Sequence, residues 1–398
     1  MNAKANNTID KVRQLQRNLY LSAKKGRRRY HAVYDKVYRE DVLKEAWKRV
    51  RANKGAGGID EVTVTDIERY GIEKFLTEIR VALMDNRYKA PPVKRVFIAK
   101  GDGKQRPLGI PTVKDRVVQM AVKLMIEPLF EADFKDNSYA FRPKRSAKMA
   151  LEEVRKACNN KGYYVIDADI KSYFDNINHE KLMLLIEQRI SDRRILKLIR
   201  NWLTAGVLND GTLEESIIGS AQGGVISPLC ANIYLNVLDT IWEKQGKQYG
   251  KLVRYADDLV IICRNKKNAI HAMGILKAVM RKLELELNSE KTKVISMWDG
   301  KEGFDFLGMH HRRMTTETSK GTAFQETYQY PSRKAMKKMK QSIKEVLGHR
   351  AVLSKDMGYL IENLNPKIRG WRNYYGLKTA KRWLNIMLPF VKTQNQIF

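Results

Sequence analysis

The sequence has few of the features that mark secreted, membrane or zinc-binding proteins. Its 398 residues include only three cysteines, Cys158, Cys230 and Cys263, which are too few and too far apart for a disulfide framework or a zinc site. The first ten residues are polar, and the longest apolar runs fall well short of the roughly 20 residues that a membrane span needs. We therefore expect a soluble protein of a reducing compartment, the cytoplasm, without a leader peptide or membrane contact.

Acidic residues are also scarce relative to basic ones. The chain has 75 Lys and Arg against 44 Asp and Glu, which gives a formal net charge of +31. Residues 1–54 carry 16 basic and 5 acidic side chains, and residues 312–398 carry 18 and 5, so the excess lies mostly at the two ends. Because such a charge repels itself in the folded state, it favours a polyanionic partner such as nucleic acid, although a merely soluble cationic surface is the alternative.

No internal repeat or low-complexity tract occurs, and 43% hydrophobic residues are ample for a buried core in two or three domains. Hydrophobic periodicity predicts helices over 1–52, 114–130, 146–157, 180–200 and, with a break at Asn365-Pro366, from about 330 onwards. Short runs of β-type residues predict a hairpin over 93–110 and strands at 163–166 and 259–263. Helices are thus expected to alternate with short strands.

The clearest chemical feature is a pair of adjacent carboxylates, Asp257 and Asp258, between two apolar runs. The runs 252–254 and 259–262 predict the strands of a hairpin with the acids at its turn, where Asp is common in any case. An ordinary Asp-rich turn would explain this pair alone. Asp169, however, also follows a predicted strand, so we expect the two strand ends to form one metal-binding floor.

Carboxylates in this arrangement suit phosphoryl transfer with two divalent ions. That reaction needs hard oxygen ligands that hold two ions about 3.5–4 Å apart. Mg²⁺ prefers a few carboxylates completed by water and substrate phosphates, and Mn²⁺ can substitute for it. We expect Asp169 and Asp257 to bridge the ions, Asp258 to be an auxiliary ligand and Asp167 to be structural. Ile170, next to Asp169, is counted among the metal-binding positions.

Together with further motifs along the chain, these acidic motifs resemble those of reverse transcriptases of the group II intron type, and the resemblance covers nearly the whole length. The matching motifs stand in the family's order at 53–60, 106–112, 141–143, 169–174, 222–229, 255–258, 287–292, 306–308 and 368–375. One tetrapeptide of this kind would be weak evidence, whereas the whole series over more than 300 residues is specific. One departure is Ala221, where the family usually has proline, which leaves the entry to that loop less rigid.

The resemblance implies an α+β fold of the right-hand polymerase type, with fingers, a palm of antiparallel sheet plus helices, and a helical thumb. We expect a basic helical N-terminal extension at 1–52, fingers and palm at 53–312, and a basic helical thumb, the maturase X-like region, at 313–398. Since the chain ends soon after the thumb motif, we expect it to lack the DNA-binding and zinc-bearing endonuclease domains of longer relatives. Any cleavage of target DNA would then come from intron RNA or not occur.

The resemblance also implies roles for single residues outside the acidic motifs. Lys100 and Arg106, on the two sides of the basic hairpin, would grip the incoming triphosphate, and a solvated turn lysine is the alternative for Lys100. Gln222 would lie beside the nascent base pair, and Gly223 would allow close approach of the backbone to template and nucleotide. Arg116 would contact the triphosphate or the template.

Two further positions concern the choice of nucleotide and the leaving group. Phe174 matches the aromatic residue that closes off the sugar 2′ position and favours dNTPs. The alternative is a core aromatic, a role that suits Tyr173 better. Lys291 resembles the lysine that protonates the leaving pyrophosphate, although Lys293 could serve instead.

We therefore expect an RNA-directed DNA polymerase that uses dNTPs, an RNA template and a DNA primer, and that binds structured intron RNA as a maturase in splicing and retrohoming. Its basic ends would hold RNA through phosphates, while Trp371, Tyr374 and Tyr375 would either stack on bases or pack within the thumb. The alternatives are a domesticated enzyme of this type in phage defence or DNA repair, a non-catalytic RNA-binding splicing factor, and an RNA-dependent RNA polymerase. Retention of the catalytic residues argues against the splicing factor, and Phe174 argues against the RNA polymerase.

Overall fold

The computed structural model describes most of the chain, which divides into two compact units. The described residues are 2–99, 105–209, 212–214, 223–317, 321–347 and 357–377. The first unit comprises Met1–Asp136, Ile170–Glu243 and Ala278–Glu286, and the second comprises Asn137–Asp169, Lys244–Lys277 and Leu287–Phe398. Each unit thus combines three separated segments, whereas the domains expected from the sequence are consecutive. That expected division stays a prediction, and its boundary at 312 falls inside a strand.

The described residues form thirteen α-helices and eleven strands. The helices are α1 (Asn2–Lys24), α2 (Tyr34–Val37), α3 (Glu40–Ala52), α4 (Val64–Tyr70), α5 (Ile72–Met84), α6 (Val113–Glu131), α7 (Ala147–Asn159), α8 (His179–Glu187), α9 (Arg193–Thr204), α10 (Ser227–Ile241), α11 (Lys266–Lys282), α12 (Arg333–Leu347) and α13 (Met357–Tyr375). The strands are β1 (Val93–Ala99), β2 (Gln105–Ile110), β3 (Tyr164–Ala168), β4 (Val207–Asn209), β5 (Thr212–Glu214), β6 (Gly250–Tyr255), β7 (Asp258–Cys263), β8 (Lys293–Ser296), β9 (Gly303–Phe306), β10 (Met309–Glu317) and β11 (Ala323–Pro331). Among the helices of these ranges, none combines the length and apolar character that a bilayer crossing requires. The three cysteines, all within the described residues, are buried and form no disulfide there.

The first unit is built around α6, which is buried on almost every side. Its residues Val117, Ala121 and Leu124 are at most 1% exposed, as expected of a helix that is apolar all round. Thr112 caps the helix, because its hydroxyl accepts a hydrogen bond from the backbone N–H of Asp115 (3.1 Å). Since α1 and α3 pack against α6, the basic helices predicted at the N-terminus belong to the folded first unit.

A four-stranded sheet in the order β2-β1-β4-β5 also belongs to the first unit. β1 and β2 form the predicted antiparallel hairpin, with Ile98 opposite Arg106, and β4 runs parallel to β1. Phe97 and Ile98 are 51% and 50% exposed. The hairpin therefore presents apolar side chains to solvent on the strand that leads to residues 100–104. This segment contains Lys100 and Lys104 and lies outside the described part of the chain.

The second unit contains the antiparallel sheet β6-β7-β3-β8. β7 and β3 occupy its centre, and their aliphatic residues Val165, Ile166, Val260 and Ile261 are completely buried. α7 packs against β6 and β7 and adds its apolar face to the same core. Central strands of this kind are continuous apolar runs in the sequence, which is why both could be predicted.

The second unit continues with the sheet β11-β10-β9 and then with α12 and α13. Tyr374 of α13 donates its hydroxyl to the carbonyl of Leu307 (2.9 Å), and Tyr375 packs against the core around Phe306. Trp371 packs in the cluster that joins α12 to α13. Of the two expectations for these aromatic residues, packing is therefore the one that the structure confirms.

The helical prediction over 180–200 is wrong only at residues 188–192, where a bend separates two helices, α8 and α9. Asp192 ends the intervening bend and caps α9 by accepting the backbone N–H of Arg194 (3.1 Å). Its other carboxylate oxygen accepts the backbone N–H groups of Val33 and Tyr34 (2.9 and 2.8 Å). These long-range hydrogen bonds fix a bend that the apolar spacing alone does not indicate.

The break predicted at Asn365-Pro366 is also wrong, because α13 continues through it. A proline removes one backbone hydrogen bond from a helix. Pro366 lies on the exposed side, as does Glu362 one turn earlier, so the carbonyl that loses its partner is open to water. Leu364 and Ile368 meanwhile hold the helix against α12, and this packing outweighs the lost bond.

Candidate active site

The tip of the β6-β7 hairpin carries two of the predicted metal ligands. Tyr255 pairs with Asp258 across the hairpin, which leaves Ala256 and Asp257 as the two residues of the turn. Ala256 has a φ of +58°, a left-handed conformation that costs a residue with a Cβ about 1 kcal/mol or more. A turn with this strain needs support from its surroundings.

That support comes from Arg254, which is completely buried beneath the turn. Its guanidinium donates to the carbonyl of Ala256 (3.0 Å) and to the hydroxyl of Ser138 (2.8 Å). The backbone of Arg254 bonds on both sides as well, to the carbonyl of Asn137 (2.8 Å) and from the N–H of Tyr139 (3.0 Å). The turn is therefore tied to the neighbouring segment through side chain and backbone together.

The third predicted ligand reaches the same edge of the sheet through strand register. β3 runs antiparallel to β7, and Ala168 stands opposite Leu259. Asp169 follows Ala168 and Asp258 precedes Leu259, so continuing the register by one residue sets these two acids side by side. The sequence predicts acids at two strand ends, and the register brings the ends together.

The electrostatics of Asp258 reflect this proximity. Desolvation by the surrounding chain, together with the negative charges of Asp257 and Asp169, raises the pKa of Asp258 to about 6, while the positive charge of Lys291 opposes this shift. A carboxyl group with this pKa carries its full charge at neutral pH only at an energetic cost. A cation between these carboxylates would remove that cost.

Asp167, which the sequence analysis treats as structural, belongs to the same acidic group. Burial, together with the negative charges of Asp258, Asp305 and Asp169, raises the pKa of Asp167 to about 7, while the positive charge of Lys293 opposes this shift. Asp167 stands opposite Lys293 in the pairing of β3 with β8. The acidic group is thus larger than the three predicted ligands, and a structural role for Asp167 stays a prediction.

The donor set fits a divalent cation. The carboxylates are hard oxygen ligands, and their mutual repulsion is what a bound cation relieves. Across the described ranges, no three His, Cys, Asp or Glu side chains converge into a complete metal site. Water and substrate phosphates would therefore have to complete the coordination, which is how Mg²⁺ is commonly held in enzymes that act on nucleotides.

Lys291 lies against the first of the acidic motifs. Its ammonium group is 3.2 Å from a carboxylate oxygen of Asp169, and the backbone N–H of Asn288 donates to the Asp169 carbonyl (2.8 Å). The backbone N–H of Asp169 in turn donates to the hydroxyl of Thr292 (3.4 Å). Of the two candidate lysines, Lys291 is thus beside Asp169, whereas Lys293 faces Asp167, and the role in proton transfer stays a prediction.

Two predicted site residues, Phe174 and Ile170, belong to the first unit. Phe174 is half-buried within the 3-10 turn Tyr173–Asn176. Its neighbour Tyr173 is 2% exposed and donates its hydroxyl to the carbonyl of Ala231 (2.6 Å). Tyr173 is thus the core aromatic, as expected, and Phe174 keeps an accessible face. Ile170 is 3% exposed, and its place among the metal-binding positions stays a prediction.

Arg116, predicted to contact the triphosphate or template, is largely buried within the first unit. Its guanidinium donates to the carbonyl of Pro111 (3.0 Å) and to the carbonyl of Ala56 in the glycine-rich loop. Burial lowers the pKa of Arg116 from its ordinary value. The structure thus gives Arg116 a role in joining two motifs, and its contact with substrate stays a prediction.

A buried polar network outside the predicted site residues supports the loop after Gly223. Asp115 is 1% exposed, and its carboxylate accepts hydrogen bonds from Tyr88, from Trp202 (2.8 Å) and from Gln119 (2.8 Å). The side-chain oxygen of Gln119 accepts the backbone N–H of Ile226 (3.2 Å) at the start of α10. The available signal is an Asp and a Gln spaced i, i+4 in an otherwise apolar helix.

Of the two residues predicted to contact the template and the nascent base pair, Gln222 and Gly223, the structure describes Gly223. Its φ is +120°, and a Cβ built on it would lie 2.3 Å from the carbonyl oxygen of Gly109. Glycine is required at this position because the two backbones touch. Lys100 and Gln222 lie outside the described residues, as does the side chain of Arg106, so their predicted contacts stay predictions.

Replacing Gly223 with alanine should lower the predicted polymerase activity at least about tenfold. The new Cβ would push the loop off Gly109 and add backbone strain of about 1–3 kcal/mol. Primer-extension rates and thermal unfolding measure both effects. Gly274→Ala is the matched control, since open space surrounds Gly274 in α11, and it should retain full activity with equal or higher stability. Full activity in Gly223→Ala would contradict the close approach.

Two family models match the chain. The model described as reverse transcriptase (RNA-dependent DNA polymerase) matches residues 98–311, and the model described as group II intron, maturase-specific domain matches residues 336–393. The first match covers both strand ends that carry the acidic group. The second covers α12 from Met336 onwards and all of α13.

Similar proteins are found in bacteria and fungi. Protein YkfC of Escherichia coli is 35% identical over 314 residues, which are 68% of this chain and 80% of YkfC. The group II intron-encoded protein LtrA of Lactococcus lactis is 38% identical over 210 residues, which are 52% of this chain and 34% of LtrA. An uncharacterized 91 kDa protein in the cob intron of Schizosaccharomyces pombe is 32% identical over 218 residues, which are 54% of this chain and 26% of that protein. The chain thus spans most of YkfC but only about a third or a quarter of the two intron-encoded relatives.

Proposed function

This chain belongs to the reverse transcriptase (RNA-dependent DNA polymerase) family, and from that premise we propose that it copies RNA into DNA and binds a group II intron RNA as a maturase. The observation that carries the polymerase proposal is the group of carboxylates where β3 ends and the β6-β7 hairpin turns. The match of residues 336–393 to a maturase-specific domain supports the second activity. It also favours an intron-associated enzyme over a domesticated one or a splicing factor without catalysis.

In this proposal Asp169, Asp257 and Asp258 hold two Mg²⁺ ions. The ions would supply charge that activates the primer 3′-hydroxyl and stabilises the leaving pyrophosphate. The chain's own contribution is to fix the carboxylates before substrate arrives. Arg254 fixes the turn that carries Asp257, and the register of β3 with β7 sets Asp169 beside Asp258. Such preorganisation lowers the barrier because little rearrangement is needed during reaction.

Lys291 is proposed to provide the proton that the leaving pyrophosphate requires. Its ammonium lies 3.2 Å from Asp169, so the proton would be held next to a metal ligand. The side chain is 65% exposed, which leaves it able to reach a phosphate. Lys100 and Arg106 are proposed to bind the triphosphate, and Gln222 and Gly223 to contact the template and the nascent pair.

The maturase role is proposed to depend on cations rather than aromatic rings. Trp371, Tyr374 and Tyr375 pack inside the second unit. The exposed side of α12 instead presents a row of basic residues, namely Arg333, Lys334, Lys337, Lys338 and Lys340. Phosphate contacts from such a row give affinity that does not depend on base sequence.

Primer extension on an RNA template tests the polymerase proposal. Purified protein with Mg²⁺, dNTPs and a DNA primer annealed to RNA should give DNA product whose length follows the template. Omission of the divalent cation or addition of EDTA should abolish it. Absence of RNA-templated product from protein that still binds the hybrid would contradict the proposal. A splicing assay with the intron RNA tests the maturase role separately.

Replacing Phe174 with alanine should increase incorporation of rNTPs relative to dNTPs by about tenfold or more. The half-buried ring of Phe174 is proposed to occupy the space beside the sugar 2′ position, and alanine would leave room for a 2′-hydroxyl. Single-nucleotide incorporation with matched dNTP and rNTP measures the ratio. Phe174→Tyr should keep the dNTP preference, and an unchanged ratio in Phe174→Ala would exclude the role.

A further inference from the structure

A cavity is present in the second unit, at the opposite end of the β6-β7 hairpin from the acidic turn. It encloses about 520 Å³ and lies where α7 ends, β6 begins and β7 ends. β6 spans six residues, so at about 3.3 Å per residue the cavity is about 17 Å from the turn. Its volume is in the range of ligand-binding pockets. No residue assigned to the polymerase reaction lines it.

Four basic side chains line this cavity, namely Lys156, Lys247, Lys251 and Arg264. The one carboxylate of the lining is Glu153, and two of the lysines share it. Its oxygens lie 3.3 Å from the Lys156 ammonium and 3.5 Å from the Lys251 ammonium. One negative charge thus offsets two positive ones, and the lining as a whole stays cationic.

The four cations come from three separate parts of the chain. Lys156 lies in the last turns of α7, Lys247 and Lys251 lie at the entry to β6, and Arg264 follows β7. A solvated face of one helix would not produce this convergence. Lys251 is 51% exposed and Lys156 is 61% exposed, so both can reach a ligand that passes over the opening.

Two residues of the lining, Gly162 and Gly250, are required to be glycine. A Cβ on Gly162 would lie 2.3 Å from the side chain of Ile262, and a Cβ on Gly250 would lie 2.8 Å from the sulfur of Cys263. Glycine there lets the chain segments pack closely beneath the opening, so that the cationic side chains surround a recess instead of a flat surface. The recess is therefore part of the fold.

Polar and aromatic groups complete the lining. Asn160, Gln248 and Asn268 contribute side-chain amides, each able to donate and accept hydrogen bonds. Tyr249 lines the cavity as well, and its ring is held by stacking on His271 with the ring centres 5.1 Å apart. Cations, amides and an aromatic ring together suit a ligand that has phosphates, hydroxyls and bases.

We propose that this cationic cavity binds the sugar-phosphate backbone of an RNA strand at a point separate from the acidic turn. The proposal rests on the proposed function, which supplies an RNA partner. Lys247 and Arg264 would neutralise phosphates, and the amides would contact ribose hydroxyls or base edges. A strand suits the site better than a free nucleotide, because the cations are spread around an open rim and no charged side chain is enclosed.

Charge reversal at the rim tests the proposal in the full chain. The double variant Lys247→Glu/Arg264→Glu should weaken binding of a labelled 20-nucleotide oligouridylate about tenfold. It should also reduce the slope of log affinity against log salt by about 1.4, since each lost phosphate contact on a single strand contributes about 0.7. The matched control is Lys197→Glu/Lys277→Glu, which makes the same charge change at exposed lysines of α9 and α11 and should change affinity less than twofold.

Photocrosslinking gives a direct readout of position. A 4-thiouridine-substituted oligomer should crosslink to the peptide that contains Tyr249 in the unaltered protein and lose that crosslink in the double variant. Equal weakening in the double variant and the control, or an unchanged crosslink, would overturn the proposal. Competition by AMP at micromolar concentration would overturn it too, in favour of a mononucleotide site.

The same variants separate this proposal from the proposed function. The double variant should extend a pre-annealed primer-template at saturating concentration at the unaltered rate. If the unaltered protein extends no primer yet shows the crosslink at Tyr249, the polymerase proposal fails and the cavity proposal stands. If extension is normal and the double variant binds RNA like the control, only the cavity proposal fails.

Discussion

Replacing Asp257 with asparagine should lower the rate of RNA-templated DNA synthesis by about 1000-fold, which corresponds to about 4 kcal/mol of transition-state stabilisation. The amide keeps the shape of the side chain at the hairpin turn but removes the negative charge that a bridging metal ligand supplies. The Asp257 charge is also one cause of the raised pKa of Asp258, which stands at about 6. Its loss should therefore lower the pKa of Asp258 and leave the metal-free protein equally or slightly more stable.

Rates of single-nucleotide incorporation under saturating dNTP, together with thermal unfolding, check this expectation. Asp299→Asn is the matched control, because Asp299 is a partly exposed acid of the second unit that bonds to the backbone of Lys301 (3.0 Å) in a surface turn. It should keep the full rate. An Asp257→Asn protein that retains more than a tenth of the rate would show that this carboxylate is not a metal ligand of the reaction.

The acidic residues of the site could be predicted because they lie close to the ends of short apolar runs whose β-type residues predict buried strands. The run 259–262 is buried in the centre of its sheet, and Asp258 marks the point where the buried part begins. The hydrophobic pattern does not, however, indicate in which register the two strands pair. Only the pairing of Ala168 with Leu259 sets Asp169 beside Asp258, and only the path of 288–292 decides that Lys291 and not Lys293 contacts Asp169.

The supporting residues could not be predicted because their partners are distant in sequence. The carboxylate of Asp115 accepts a hydrogen bond from Trp202, and the guanidinium of Arg254 donates one to Ser138. The local hydrophobic periodicity of the sequence indicates neither pair. A charged residue within an apolar strand is the one local signal for Arg254, since such a side chain must find hydrogen-bond partners when it is buried. The bend fixed by Asp192 is a third case, in which backbone donors far along the chain decide where a helix begins.

In helix α13 the prediction fails for the opposite reason, because tertiary packing outweighs a strong local signal, the proline at position 366. Proline disfavours a helix interior by about 3 kcal/mol, and Pro366 predicts a break on that ground. Burial of Leu364 together with the partly buried Leu360, Ile368 and Trp371 against α12 stabilises the helix by more than this amount, since each such side chain contributes about 1.5–3 kcal/mol when fully buried. Tertiary packing thus decides the outcome wherever several apolar side chains share one face.

Replacing Arg254 with methionine should lower the polymerase rate by about 100-fold and destabilise the protein by about 2–4 kcal/mol. Methionine fills much of the buried volume but donates no hydrogen bond, so the carbonyl of Ala256 and the hydroxyl of Ser138 lose a charged donor, each bond being worth about 1.5–3 kcal/mol. The turn would then relax from its left-handed conformation, and a displacement of the Asp257 carboxylate by about 1 Å is enough for a 100-fold loss. Arg312→Met, which removes a surface bond to the carbonyl of Gly300 (2.7 Å), should cost less than about 1 kcal/mol and leave the rate within twofold.

A second change separates positioning of the catalytic turn from simple stabilisation. Ala256→Gly removes the steric cost of the φ of +58°, so the double variant Arg254→Met/Ala256→Gly should recover about 1 kcal/mol of the lost stability. The rate should not recover, because glycine makes the turn more flexible and does not orient the Asp257 carboxylate. The Mg²⁺ concentration for half-maximal rate should be higher in both Arg254→Met and the double variant than in the unaltered protein. If stability and rate recover together, Arg254 acts only through the fold; if the rate alone stays low, the buried guanidinium is what holds the carboxylate in place for catalysis.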